Sequence, residues 1–238
     1  MPTIADPLIK PYGDFALYLR YSCEGYSAPI NDRILALAEY LRQNGNWIDV
    51  VAAYETLVAS FDPSKLSLAE AQKQLSGAVQ AVKKADHRRS KPASQTIVDI
   101  PVYYGGSSGP DIENIMSKSG LSHDGVIAMH CGPVYRVCMM GFVPGFTFLS
   151  EAPSALHHPR HVQPRLSVPS GSIGIAGWQT GIYGLSSPGG WQIIGRTPLS
   201  IFDAAREAPF MLKAGDNVRF VPQNGPFPER GPSHEAGQ

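Results

Sequence analysis

The chain has 238 residues, with 20 basic and 20 acidic side chains and a formal net charge of zero. That length allows one large or two small domains with a buried core. The balanced charge argues against a nucleic-acid-binding protein, because such a protein needs a clustered positive surface. The 3 cysteines give neither a disulfide framework nor a zinc spacing.

Glycine usage divides the chain, because residues 1–90 hold 4 of the 24 glycines and residues 91–238 hold the other 20. The polar run Asp86–Pro92 lies at this change and predicts a solvated linker. We therefore predict a small α+β domain at 1–90 and a mostly-β domain at 91–238 that ends in a flexible tail. The first ten residues lack a signal-peptide core, and no stretch approaches about 20 apolar residues, so we expect a cytoplasmic protein without a membrane span.

The first domain is predicted to begin with a strand at Phe15–Tyr21. Apolar residues at helical spacing then predict a helix over Asn31–Asn44, with Asn31 or Asp32 as its N-cap. Two strands follow at Trp47–Ala53 and Thr56–Phe61.

A capping box, Ser67-Leu68-Ala69-Glu70, predicts the start of a second helix. Its expected buried face is Leu68, Ala71, Leu75, Ala78 and Val82. A further strand at Thr96–Tyr104 completes the expected small open sheet with helices on one face.

In the second domain, the glycine-rich loop Gly105–Asp111 precedes a predicted helix, Ile112–Ser119. Such a loop can cradle phosphate. No Gly-Lys pair follows it, so we favour a plain loop with Asp111 as the N-cap. Ser122 is expected to cap a second helix, His123–His130, whose lack of Lys and Arg argues against a DNA-recognition helix.

Short apolar runs separated by turn signals predict a closed or nearly closed antiparallel barrel for the remainder. The predicted strands are Val134–Met140, Thr147–Leu149, Gly174–Ala176, Gln192–Ile194, Leu199–Phe202 and Asn217–Val221.

Polar groups gather between these runs, where a small-molecule site is expected. Arg160 and Arg165, each preceded by proline, either recognise a carboxylate or phosphate or pair with an acid such as Asp203. His130 is as readily a helix cap as a catalyst. The other histidines lack metal-ligand spacing, so no metal site is expected.

Four stretches of the second domain resemble the allophanate hydrolase subunit 1 family. They read G-F-V-P-G-F-T-F-L at 141–149, P-R-H-V-Q-P-R at 159–165, V-P-S-G-S-I-G-I-A-G-W-Q-T-G-I-Y at 168–183 and S-P-G-G-W-Q-I-I-G-R-T-P at 187–198. The resemblance implies an α+β N-terminal domain followed by a mostly-β, cyclophilin-like barrel domain.

The resemblance also implies a subunit of an ATP-dependent 5-oxoprolinase, which opens 5-oxoproline to L-glutamate and is inactive without its partners. The implied partners are a homologous allophanate hydrolase subunit 2-type barrel protein and a third, lactam-hydrolase subunit. The expected substrate-binding residues are Arg160, Arg165, Gln179, Thr180, Tyr183, Ser187, Gly189, Gly190, Arg196 and Thr197, with His130 and Arg196 as catalytic candidates.

Two other interpretations follow from the same resemblance. One is the carboxyltransferase component of a urea-carboxylase-like enzyme, which depends on biotin. The other is a KipI-like inhibitor of a sensor histidine kinase. Biotin belongs only to the first of these two interpretations.

Overall fold

The computed structural model describes residues 4–86 and 97–228. The chain divides into two compact units, Met1–Gln95 and Thr96–Gln238. The predicted linker beyond Asp86, the predicted boundary at residues 90 and 91 and the last ten residues of the predicted tail lie outside the described residues.

The first unit is a four-stranded antiparallel sheet in the order β1-β2-β4-β3 with two helices. The strands are β1 Leu8–Pro11, β2 Ala16–Arg20, β3 Trp47–Ala52 and β4 Thr56–Phe61. The helices are α1 Ala28–Gln43 and α2 Leu68–Asp86. Alternation along β4 buries Leu57, Ala59 and Phe61 against apolar residues of both helices, as a half-buried strand requires.

The capping box is confirmed at the start of α2. The backbone N–H of Ser67 donates to Glu70 Oε2 at 2.9 Å, and the N–H of Glu70 points back to Ser67 Oγ at 3.4 Å. Leu68, however, is 40% exposed and does not join the buried face of this helix.

The predicted N-cap of α1 is wrong, because the helix begins one turn earlier after Ser27. Asn31 lies inside the helix and is fully buried. Its side-chain amide donates to the carbonyls of Ala53 and Tyr54 at 3.2 and 3.0 Å. The residue therefore fastens the helix to the β3–β4 turn.

The second unit contains the predicted barrel, closed by seven strands in the order β10-β7-β6-β13-β5-β12-β9. These strands are β5 Ile97–Tyr104, β6 Tyr135–Met140, β7 Thr147–Glu151, β9 Ser172–Ala176, β10 Gln179–Ile182, β12 Gln192–Arg196 and β13 Asn217–Pro222. Two short strands, β8 Arg165–Val168 and β11 Ser187–Gly189, form a separate antiparallel ribbon. The helices are α3 Ile112–Ser119, α4 His123–Cys131 and a 3₁₀ turn at Ser154–Leu156.

Three strand predictions need correction. β5 pairs with β12 and β13, so it belongs to the barrel and not to the first sheet. The β5–β13 pair is parallel, with Ile97 opposite Asn217, so the barrel is not purely antiparallel. Leu199–Phe202 is not a strand; only Phe202 forms an isolated bridge, and the preceding Pro198 has no N–H to offer a ladder.

Two apolar clusters lie on opposite faces of the barrel wall. All seven strands contribute to the first, whose members include Ile100, Tyr135 and Leu149, so it fills the interior. The second contains Phe146, Val168, Ala176, Tyr183, Trp191 and Ile193. Neighbours on one strand, Ile193 and Ile194, belong to different clusters, and strand side chains alternate between faces. The second cluster therefore packs on the outer wall.

Candidate functional site

An indole platform forms the base of the candidate site on the outer wall of the barrel. Trp191 is 5% exposed, and its ring centroid lies 5.3 Å from that of Phe146 in an edge-to-face arrangement. The indole passes over Gly174 and Gly181, where a Cβ would come within 3.1 Å of the ring at Gly181 and within 2.9 Å of the Trp191 Cβ at Gly174. The two glycines therefore let the tryptophan lie flat against the strands.

The loop that carries Arg160 is fastened to the barrel on both sides of that residue. The Gln192 side-chain amide donates to the carbonyl of Pro159 at 3.0 Å, and the N–H of His161 donates to the carbonyl of Gly190 at 2.7 Å. The guanidinium carbon of Arg160 lies 5.9 Å from the centroid of the Trp191 ring, within cation–π range.

Asp111 is the buried acid of the site. Arg165 Nη2 donates to Asp111 Oδ1 at 2.6 Å, and the N–H of Ile193 donates to Oδ2 at 2.7 Å. His161 Nε2 lies 3.2 Å from Oδ2, and the side chain of Asp111 is only 4% exposed. Asp111 stands at the N-cap position of α3 but makes no side-chain cap bond, so its predicted capping role is wrong.

The charge of Asp111 is stabilised in this setting. Burial by itself raises the pKa of the carboxyl group, but the hydrogen bonds from Arg165 and the Ile193 N–H outweigh it and leave the pKa below its ordinary value. The carboxylate is therefore ionised at neutral pH and compensates the charge of Arg165.

Tyr183 places a neutral hydroxyl beside the two arginines. Burial raises the pKa of Tyr183 to about 12, opposed by the Trp191 N–H and by the charges of Arg160 and Arg165. A Cβ on Gly189 would overlap the Tyr183 hydroxyl, so the glycine is required at that position. We call Asp111, Arg160, His161, Arg165 and Tyr183 the arginine cluster.

Two polar atoms near the arginine cluster are buried without a hydrogen-bond partner, Arg165 Nη1 and Ser187 Oγ. Ser187 is 6% exposed and lies on β11, two residues from Gly189, which stands opposite Arg165 in the ribbon. An unpaired buried polar group costs about 1–3 kcal/mol, so these atoms mark a place for a polar ligand group or water.

His130 and Thr180 lie together inside the barrel, where neither has measurable exposure. Thr180 Oγ1 donates to the carbonyl of Gly174 at 3.1 Å, so it accepts from His130 Nε2 at 3.0 Å. His130 Nδ1 then accepts from the Tyr104 hydroxyl at 2.7 Å. Burial lowers the pKa of His130 to about 3, so the imidazole is neutral.

The remaining predicted residues lie elsewhere on the barrel. Gln179 begins β10 opposite Ala176 rather than in a turn. At the end of β12, Arg196 Nε donates to the carbonyl of Ser170 at 2.9 Å, and its guanidinium carbon lies 4.6 Å from the centroid of the Phe227 ring. The N–H of Thr197 donates to the carbonyl of Gly171 at 2.9 Å. The structure thus brings together Arg160, Arg165, Tyr183, Gly189 and Gly190, but not the whole predicted set.

The glycine-rich loop before α3 has its amides engaged within the protein. Gly105 N–H donates to Ile194 O at 3.1 Å, and Gly109 N–H donates to Gly105 O at 2.8 Å. The loop therefore does not present the row of free N–H groups that a phosphate cradle needs. In the described parts of the chain, no group of three or more His, Cys, Asp or Glu side chains is arranged to hold a metal ion, and no helix there is long and apolar enough to cross a membrane.

Fold and site together define a class: a closed β-barrel protein that carries a buried acid and an arginine-rich loop on its outer wall. The family model described as carboxyltransferase domain, subdomain C and D, matches residues 7–212. The chain belongs to this family.

Named relatives agree with this membership, and two of them are bacterial proteins named as a subunit of 5-oxoprolinase. The chain is 37% identical over 221 residues to the one from Bacillus subtilis, which covers 90% of this chain and 91% of the relative. It is 52% identical over 126 residues to the one from Escherichia coli O157:H7, a match that spans 53% of this chain and 58% of the relative's length. A crystal structure of TTHA0988 superposes with a TM-score of 0.76 at 39% identity, covering 93% of this chain and 41% of that chain.

Proposed function

We propose that the chain is a cytoplasmic subunit of an ATP-dependent 5-oxoprolinase that hydrolyses 5-oxoproline to L-glutamate. The observation that carries the proposal is the nearly full-length match to the Bacillus subtilis protein named as a 5-oxoprolinase subunit. The match extends over both units of the chain, and every residue of the arginine cluster lies within the family range 7–212.

The chemistry of the arginine cluster supports this substrate. 5-Oxoproline combines a flat ring amide with a carboxylate. A guanidinium beside an indole face suits a carboxylate attached to a small ring, since it offers charge and an apolar surface together. The Tyr183 hydroxyl and the buried donors nearby suit the lactam oxygen.

The partners we propose are a homologous barrel protein of the allophanate hydrolase subunit 2 type and a third subunit that supplies the lactam-hydrolase centre. Two observations support incomplete function in this chain alone. The arginine cluster lies on the outer wall of the barrel, where a second surface can cover it. The match to TTHA0988 occupies only 41% of that longer chain, so that relative carries more than half of its sequence outside this match.

ATP is proposed to bind to another subunit. The amides of the glycine-rich loop are engaged with the barrel, and no Gly-Lys pair follows them. This chain would then bind and orient the lactam acid, and a partner would present the phosphate. Arg196 stays a proposed substrate contact, whereas the buried position of His130 favours a structural role.

The test is a reconstitution. The tagged full-length chain is purified with the proteins it retains, and ATP hydrolysis is measured with and without 5-oxoproline, with glutamate quantified in parallel. The proposal expects both products to appear only when substrate and partners are present. A complete complex that hydrolyses no ATP in response to 5-oxoproline would refute the assignment.

A second candidate function is the carboxyltransferase component of a biotin-dependent enzyme. The description of the matching family favours it, since that family is named for the carboxyltransferase domain. This candidate predicts that a biotinylated protein is retained with the chain and that avidin abolishes the activity of the complex. Activity that survives avidin excludes it.

We also propose that residues 1–90 and 91–238 are separate α+β and barrel domains. The described residues support this division because each unit encloses its own apolar cluster, one around Leu37 and Leu57 and the other around Ile100 and Tyr135. Expression of 91–238 alone, followed by a thermal melt, tests whether the barrel folds by itself.

A further inference from the structure

The two arginines of the arginine cluster differ in their electrostatic surroundings. Arg165 donates to the carboxylate of Asp111 at 2.6 Å, and that carboxylate is 4% exposed. Such a close, buried contact compensates the charge of Arg165 and fixes its orientation. Arg165 therefore has little charge left to attract a ligand.

Arg160 has the opposite character. Its side chain is exposed, and no carboxylate in residues 4–86 and 97–228 forms an ion pair with it. Its backbone is nonetheless fixed by the bonds at Pro159 and His161, and its guanidinium lies over the Trp191 ring. A cation held on a rigid platform without a counterion is ready to bind an anion, because little side-chain ordering remains to oppose binding.

The unpartnered atoms indicate where the rest of such a ligand would lie. Ser187 is more than nine-tenths buried and its Oγ has no partner, and Arg165 Nη1 is also buried without one. Both belong to the β8–β11 ribbon, whose Gly189 abuts the Tyr183 hydroxyl. These are hydrogen-bonding groups without compensating charge, which suits a neutral amide better than a second anion.

We propose that Arg160 is the specificity-determining cation of this site and binds the carboxylate of a small cyclic amide acid. Arg165 is a positioning residue, held by Asp111, that orders the ribbon and presents one N–H to the uncharged part of the same ligand. This inference rests on the proposed function for the identity of the ligand, but the assignment of Arg160 to the carboxylate can be tested separately.

The experiment uses three probes that separate the two halves of the ligand: 5-oxoproline, 2-pyrrolidinone, which lacks the carboxylate, and cyclopentanecarboxylate, which lacks the lactam. Each is titrated calorimetrically into the complex captured by the full-length chain. The variants are Arg160→Gln, Arg160→Lys and Arg165→Gln. Arg219→Gln is the matched control, because Arg219 is a half-exposed arginine paired with Asp99 far from the cluster in sequence.

We expect Arg160→Gln to weaken 5-oxoproline and cyclopentanecarboxylate about 10- to 100-fold, the range for losing a charged hydrogen bond. Binding of 2-pyrrolidinone should stay unchanged, and Arg160→Lys should restore part of the loss. Arg165→Gln should lower the melting temperature, which Arg160→Gln should not. Arg219→Gln should change none of these quantities.

The outcomes separate the two claims. If Arg160→Gln binds both carboxylates as well as the unmodified protein does, the inference is overturned and the proposed function stands. If the unmodified complex binds cyclopentanecarboxylate through Arg160 but shows no 5-oxoproline-dependent ATP hydrolysis, the proposed function fails and the role of Arg160 stands. If the unmodified complex binds none of the probes, the inference is overturned as well.

Discussion

Asp111 is predicted to be a major source of stability in the barrel unit, and Asp111→Asn tests this. The substitution keeps the shape of the side chain and one acceptor for the Ile193 N–H but removes the negative charge. Arg165 then loses its counterion. We expect unfolding of the barrel to become easier at neutral pH.

The magnitude follows from the burial of the two partners. Removing one partner of a fully buried ion pair costs about 3–5 kcal/mol. Asp111 is 4% exposed, but Arg165 keeps 34% of its side chain exposed, so water recovers part of its charge. We therefore expect a loss of about 2–3 kcal/mol, or a fall of about 6–9 °C in melting temperature for a unit of this size.

The control is Asp203→Asn. Asp203 pairs with Arg206 at 3.1 Å, but those side chains are 37% and 52% exposed. A pair this exposed is worth less than about 1 kcal/mol. Denaturant unfolding followed by tryptophan fluorescence in a Trp47→Phe background reports on Trp178 and Trp191, which both lie in the barrel unit.

The dependence on pH gives an independent check. The folded pKa of Asp111 is depressed, so its contribution is complete above the ordinary carboxyl pKa and is lost as the pH falls through the folded value. The gap between the unmodified protein and Asp111→Asn should be full at pH 7 and shrink below about pH 4. Equal melting temperatures for Asp111→Asn and Asp203→Asn at pH 7 would refute the reasoning.

Three further predictions concern other parts of the chain. His130 titrates near 6.5 when unfolded and about 3 when folded, so lowering the pH from 7 to 5 should cost about 2 kcal/mol of stability, and His130→Phe should remove that slope from a pH series of denaturant melts. Gly189→Ala should displace the Tyr183 hydroxyl and lower the melting temperature, whereas Gly190→Ala, with no contact below 3.5 Å, should not. Ser67→Ala should destabilise the first unit by about 1 kcal/mol in circular-dichroism melts.

Local patterns are sufficient to predict most elements of the fold. The capping box at Ser67 and the strands on either side of Tyr54 depend on neighbouring residues, and the structure confirms both. The partner of a strand is not a local property. The order of elements places β5 in the first sheet because it follows α2, yet its hydrogen-bonding partners, β12 and β13, come at least 88 residues after its last residue, Tyr104.

The short strands are the hardest elements to predict. β10 reads Q-T-G-I, with one large apolar residue and a glycine, so its sequence suggests a turn. Gly181 is there because the Trp191 indole crosses the strand, which is a tertiary requirement. Thr180 accordingly points into the barrel and not into a ligand-bearing turn.

The candidate site is predictable in its residue types but not in its electrostatics. The two Pro-Arg pairs indicate guanidinium groups on a stiff loop, with either a ligand or an acid as their partner. The structure gives one arginine an acid, Asp111, which lies 54 residues away in sequence and whose position before α3 predicts a helix cap. No sequence spacing reports such a contact, because it depends on β12 passing between the two segments.

The division of roles between the arginines explains why both are needed in one loop. A single exposed arginine on a loop of this length would need ordering before it could bind, and that ordering would weaken the affinity. Arg165 and Asp111 anchor the far end of the loop, and the bonds at Pro159 and His161 fix the near end. The ion pair thus fixes the backbone around Arg160, so that its uncompensated charge is held in place over Trp191. Disrupting Asp111 should therefore weaken carboxylate binding through disorder of the loop, even though Asp111 itself would repel the ligand.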